Sequence, residues 1–194
     1  ERTWMARASG DHQSPEMLAR NPRGKFPVVM WGEQALFESL AILHFLDAVH
    51  PGRPLLPREH GPLACALIRA HEADNYTAPA MLDVIDPRLM SPSPLPVDEQ
   101  GLAKNRVLHA ELDRWDAYLA QASGGMLAGP ELTLADVALF PVVAFCVRCE
   151  LRLSPRWPAL ARWYESLVAR PSVQSSWPPH WKQGKGRDLG LNET

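Results

Sequence analysis

Three stretches set polar and charged groups beside residues that shape the backbone: Gly10-Asp11-His12-Gln13-Ser14, Asn21-Pro22-Arg23-Gly24-Lys25-Phe26-Pro27-Val28-Val29 and Phe37-Glu38-Ser39-Leu40. Pro27 stands directly before a β-branched run, where a proline cannot donate a ladder hydrogen bond. A cis Phe26-Pro27 bond would give it a purpose: the backbone of Phe26 turns outward, and its N–H and C=O are free to pair with an extended peptide. Glu38-Ser39, where a strand would pass into a helix, offers a carboxylate to a ligand ammonium and a hydroxyl with a backbone N–H to a ligand carboxylate. Together these groups suit a small zwitterionic peptide. Plainer readings compete at every position. An X-Pro bond before a strand is more often trans, Glu38-Ser39 would serve equally as a helix cap, His12 reads as a solvated loop histidine, and Lys25 as a surface charge. The CxxC pair Cys146 and Cys149 ends an apolar helix with no second ligand pair, so it reads as two buried structural thiols, and no metal site is expected.

The elements that must position these groups fall into two regions, split by the proline-rich run at 51–57. Before the break the segments are short and mixed: a strand at 2–8, a helix at 14–20, strands at 27–31 and 34–37 around a Gly32-Glu33 turn, and a helix at 39–49 with Leu40, Leu43 and Leu46 at helical spacing. After it the pattern is helical throughout. A helix at 61–86 carries Leu63, Leu67, Ile68 and His71 on one side, with a kink expected at Pro79. The next, at 98–122, draws one stripe from Leu108, Leu112, Trp115 and Leu119, leaving Asp113, Arg114 and Asp116 as a solvated face. Thr133 with Asp136 resembles a capping box, flanked by Leu132 and Val137, and the helix it opens is apolar nearly all round, so it should form the buried centre. A final helix at 155–169 turns Leu160, Trp163, Tyr164 and Leu167 inward, and the glycine- and lysine-rich tail after Trp181 is expected to fray.

Composition narrows the partners. A formal charge of −2 with scattered basic residues gives no electrostatic footprint for nucleic acid or an anionic membrane. The longest apolar stretch, 132–147, is broken by Asp136 and Pro141 and falls short of the roughly 20 residues a span needs. Three cysteines make no disulfide framework, which favours a reducing, cytoplasmic location. The chain opens at Glu1 without an initiator methionine or a signal-like run, so sequence upstream is expected.

The run NPRGKFPVV, followed by a hairpin and then ESLAI leading a helix, resembles the glutathione site of the glutathione S-transferase family. TLADVALFP resembles the capped core helix of that family's second domain, and residues 170–181, RPSVQSSWPPHW, are similar to the rho class, which is close to theta. The likeness spans essentially the whole chain. It implies an α+β protein: a thioredoxin-like glutathione-binding domain over 1–52, truncated at its N-terminus, then an all-α domain over 58–194. The implied reaction is conjugation of the glutathione thiol to electrophilic substrates, a detoxification chemistry with glutathione as co-substrate and no cofactor. Carried onto this chain, the backbone of Phe26 before cis-Pro27 pairs with the cysteinyl residue, Glu38 and Ser39 hold the γ-glutamyl end, and Lys25 and His12 lie near the glycyl carboxylate. Gln13 stands where some relatives have lysine. Arg69 and Glu72 become candidates for a homodimer interface of the full-length protein, and His71, Asn75, Tyr76 and residues 177–181 for the electrophile pocket. The family's opening strand and helix, and the serine or tyrosine that activates the thiol between them, have no counterpart after Glu1. The catalytic residue is thus unknown, is expected upstream of Glu1, and is not replaced by Thr3 or Ser9. Without that first strand, residues 1–9 are expected to lie unpaired or the third strand to show a bare edge. A catalytically inactive binding or structural domain of the same family, or an incomplete fragment of it, is the competing reading.

Overall fold

The computed structural model describes residues 9–91, 96–182, 184 and 186–194. The strand expected at 2–8 lies outside them, as does most of the proline-serine loop at 91–96. Two compact units divide the chain between Pro54 and Leu55.

In the first unit a 3-10 turn, Asp11–Gln13, leads to helix α1, Pro15–Arg20. Ser14 caps α1 by accepting from the Met17 N–H at 3.2 Å, and Pro15 occupies the first helical position, where no donor is required. Strands β1, Val28–Trp31, and β2, Gln34–Phe37, form an antiparallel hairpin in the register Val28 to Phe37 through Trp31 to Gln34. Gly32, at φ 60°, supplies the positive dihedral that this two-residue connection demands. Helix α2, Ser39–Val49, follows directly, and Met17, Leu40 and Ile42 form the buried core.

The second unit is helical: α3 His60–Glu72, α4 Ala78–Met90, α5 Glu99–Gln121, α6 Leu134–Arg148, α7 Pro158–Val168 and α8 Pro171–Ser176. Among the described residues no helix is long and apolar enough to cross a membrane. The single kinked helix expected at 61–86 is instead α3 and α4 joined by a π-helical turn, Ala73–Thr77. Pro79 has no N–H and its ring would meet the carbonyl four residues back, and the widened turn just before it removes that conflict. The turn is tied to α5 through Thr77, whose hydroxyl accepts from Trp115 Nε1 at 2.8 Å and donates to Glu111 at 3.3 Å.

Helix α6 runs through the core, with Leu134, Leu139, Val143 and Cys146 fully buried. Asp136 is equally buried, and its carboxylate accepts four hydrogen bonds: from the Thr133 N–H and hydroxyl, the Leu127 N–H and Trp163 Nε1, at 2.8 to 3.0 Å. The two thiols near its end are buried too, and burial pushes the Cys149 thiol up to about 11 and the Cys146 thiol higher still.

Three expectations need correction. On the α5 face expected to be solvated, Asp113 and Arg114 are exposed, but Asp116 is half-buried and both acids hold partners on a distant segment. Asp116 accepts from the N–H groups of Ala159 and Leu160 at 2.8 and 2.9 Å, capping α7 from a neighbouring helix, and Asp113 accepts from Trp157 Nε1 at 2.6 Å and from Arg156 at 3.2 Å. Helix α7 begins at Pro158 rather than 155, because the residue before a proline is kept out of the helical region and Trp157 sits at φ −122°, ψ 72°. Nor does the tail fray. Leu189 and Leu191 enter the core, and buried side chains take up the carbonyls around them: Arg88 donates to Leu189 at 2.7 Å, Asn105 to Gly190 and Glu193 at 2.8 Å, and His109 to Leu191 at 2.7 Å.

Candidate functional site

Asn21 organises the loop between α1 and β1. Its own N–H closes α1 on Met17 O, its carbonyl accepts from Gly24 at 2.9 Å, Oδ1 accepts from the Arg23 N–H at 3.0 Å, and Nδ2 donates to Lys25 O at 2.8 Å. The residue is only 2% exposed, so the loop is pinned from inside. Gly24, at φ 57°, lets the Asp11–Gln13 turn lie against this loop: a Cβ there would stand 2.5 Å from Gln13 Nε2 and 2.8 Å from His12 O. His12 is thereby set edge-on to Phe26 with ring centroids 6.2 Å apart, and its buried Nδ1 has no partner among the described residues.

The Phe26-Pro27 bond is cis, as the sequence suggests. Phe26 is 42% exposed, and among the described residues its N–H and C=O accept or donate no hydrogen bond. Because Val28 pairs with Phe37, the hairpin register brings Phe26 and Pro27 to the same open end as Glu38 and Ser39. Glu38 holds φ 67°, ψ 118°, a conformation that costs a residue with a Cβ roughly 1–3 kcal/mol. Its carbonyl takes the first helical bond, from the Ile42 N–H at 3.0 Å, but its carboxylate makes no cap hydrogen bond. Simple capping therefore does not explain Glu38. Lys25, Phe26, Pro27, Glu38 and Ser39 all face solvent, with His12 half-buried beside them.

Sequence reasoning assigned no role to Asn21. An Asn-Pro-x-Gly run signals a tight turn, and the signal stops there: it does not say that the amide reaches the carbonyl next to Phe26.

The helical unit contains a cavity of about 380 Å³ lined by Val137, Phe140, Pro141 and Ala144 of α6 and by Trp177 and Trp181 beyond α8. His71, Asn75 and Tyr76 are exposed and do not line it.

A family model described as the glutathione S-transferase N-terminal domain matches residues 4–54, and one for the C-terminal domain matches 101–166. Glutathione S-transferase A of Pleuronectes platessa is 35% identical over 184 residues, which is 93% of this chain and 80% of the relative. This chain belongs to the glutathione S-transferase family. Glutathione S-transferase 1 of Zea mays is 34% identical, over 86% of this chain and 78% of its own. The crystal structure of a glutathione S-transferase from the Antarctic clam Laternula elliptica superposes with a TM-score of 0.81 at 30% identity, covering 96% of this chain and 85% of that one. The fold is that of the family, a thioredoxin-like N-terminal domain and a helical C-terminal domain, and the family's reaction uses glutathione as co-substrate. In this transferase Arg69 and Glu72 pair at 2.6 Å, the Arg69 guanidinium lies 3.2 Å over the Tyr118 ring with its Nε unpartnered among the described residues, and Tyr118 donates to Glu72 at 3.2 Å.

Proposed function

We propose that the open end of the β1–β2 hairpin binds glutathione and presents its thiol to an electrophile. The unpaired N–H and C=O of Phe26 hydrogen-bond the cysteinyl backbone as a short added strand would. Glu38 holds the γ-glutamyl ammonium, and Ser39, at the N-terminus of α2, meets the γ-glutamyl carboxylate with its hydroxyl and backbone N–H. Lys25 and the unpartnered Nδ1 of His12 serve the glycyl carboxylate, the ring donating from Nδ1. None of these residues is assigned the activation of the thiol. The observation that carries the reading is Glu38: a strained backbone combined with a carboxylate that caps nothing indicates a side chain aimed by its backbone at something else.

Isothermal titration of glutathione tests it. Glu38→Ala should weaken binding by roughly tenfold or more, the loss expected for one charge-assisted hydrogen bond at a partly exposed site. Unchanged retention on immobilised glutathione would count against the role. A chain that binds glutathione yet leaves the conjugation of an aromatic electrophile at its uncatalysed rate would instead be a binding domain. Within the family, the RPSVQSSWPPHW run supports a rho- or theta-like class. We further read the protein as cytoplasmic, on the strength of its free thiols, and as a homodimer, which sedimentation would check.

A further inference from the structure

We propose that the cleft between the α6–α7 connection and the C-terminal segment binds a tetrahedral oxyanion, either inorganic phosphate or the phosphate group of a small monoester. The local sequence prepares it. Leu151-Arg152-Leu153-Ser154 alternates apolar and polar residues, and the fold buries both leucines while Arg152 and Ser154 stay exposed. Asn192 pins this stretch, its Oδ1 accepting from the Arg152 N–H and its Nδ2 donating to Glu150 O, each at 2.9 Å. A cavity of about 260 Å³ opens here, with His109, Arg152, Ser154, Arg156 and Asn192 on its lining. That is below the roughly 300–1,000 Å³ of pockets for drug-sized ligands, so the cavity suits a compact guest.

The charge of the guest follows from the lining, whose ionisable residues are two arginines and a histidine, with no acid among them. Arg156 is already oriented: Nη1 lies 2.9 Å from His109 Nδ1, Nη2 donates to Asp113 at 3.2 Å, and the guanidinium sits 4.7 Å over the Trp157 ring. A guanidinium fixed in this way loses little further freedom when a ligand arrives. Arg152 has committed only its backbone. Its guanidinium makes no hydrogen bond or ion pair among the described residues, and neither does the Ser154 hydroxyl. Asp113 balances one of the two arginines, so a positive charge is left over. The planar fork of a guanidinium matches paired phosphate oxygens, and the hydroxyl adds a donor to a third. A cation would face both guanidinium groups, and a neutral guest would gain nothing from either.

Phosphorus NMR of the full chain without glutathione tests it, with inorganic phosphate and glycerol 3-phosphate each titrated at neutral pH and constant ionic strength and followed by line broadening. Phosphate should bind saturably at one site. Arg152→Gln should weaken it about fivefold, the size of one partly exposed charge pair, yet keep the backbone N–H that holds Asn192 and so the wild-type urea midpoint. Ser154→Ala should weaken it about twofold, the low end for one neutral hydrogen bond. Arg162→Gln, which removes an exposed arginine of α7 outside the cleft, should leave the affinity unchanged. An ester that binds more tightly than the ion assigns the cleft to a phosphomonoester, one that binds less tightly assigns it to free phosphate, and either supports the site. The proposal is overturned if neither binds saturably, if Arg152→Gln binds both as the wild type does, or if Arg162→Gln weakens binding as much. No residue of this cleft belongs to the hairpin site, so the two readings fail separately.

Discussion

Every polar group of Asn21 is engaged, and the one it gives to Lys25 O fixes the peptide immediately before Phe26. Asn21→Ala should therefore cost about 2 kcal/mol in urea unfolding, for two buried side-chain hydrogen bonds, and should also weaken glutathione binding although Asn21 offers the ligand nothing directly. Glu38 allows a test in the opposite direction. Glycine tolerates its positive φ, so Glu38→Gly should raise the unfolding midpoint, by up to about 1 kcal/mol, while glutathione affinity falls. A loss of both would show that the carboxylate supports the fold rather than the ligand. The residues proposed to face the ligand were conspicuous in the sequence because their types are unusual where they stand: a proline before a strand, and an acid at a strand-to-helix junction. Asn21 was not, since an asparagine in a turn is ordinary and its significance lies in which carbonyl its amide reaches.

At the level of elements, the tail and α5 are joined by a titratable contact. Arg156 Nη1 lies 2.9 Å from His109 Nδ1, and a guanidinium can only donate, so Nδ1 is the acceptor and Nε2 carries the hydrogen given to Leu191 O. Burial, foremost, together with Arg156, lowers the His109 pKa, against the opposing influences of Leu191 O and Asp113. The neutral ring is thus the folded form, and the unfolded chain takes up a proton first as the pH falls. Its stabilising contribution should be complete above the ordinary value of 6.5 and should drain away as the pH falls from there through the lowered folded value. Urea midpoints at pH 7.5 and 5 should differ more in the wild type than in His109→Gln. A different measure applies to α6. Asp136→Ala removes its reverse cap and strands the N–H groups of Leu127 and Trp163 in the core, so a loss of about 3 kcal/mol or more is expected by the same method. Helical spacing made α2, α5 and α6 legible in advance. The docked tail was not, because it depends on a partner distant in sequence, Asn105 for Gly190. The π turn and the late start of α7 had local signals in Pro79 and Pro158, and only the partners that hold them, Trp115 for Thr77 and Asp116 for Leu160, lie far off.

Across the whole molecule the two units are unequally buttressed. Among the described residues the only hydrophobic side chains the first buries are Met17, Leu40 and Ile42, whereas the second holds a continuous core from Ala73 to Leu191. Hydrogen exchange should accordingly be faster over residues 9–54 than over α5 and α6, and glutathione at a hundredfold excess over its Kd should slow the former, with up to about 2.7 kcal/mol of linkage available. Exchange over 9–54 that ignores the ligand would place the binding elsewhere. The segment at 186–194 carries a consequence for proteolysis. Since Leu189 and Leu191 plug the interior and Arg88, Asn105 and His109 donate to the carbonyls around them, a chain cut back to residue 182 should leave a sticky, half-closed bundle, and limited trypsin digestion should destroy it faster than the uncut chain.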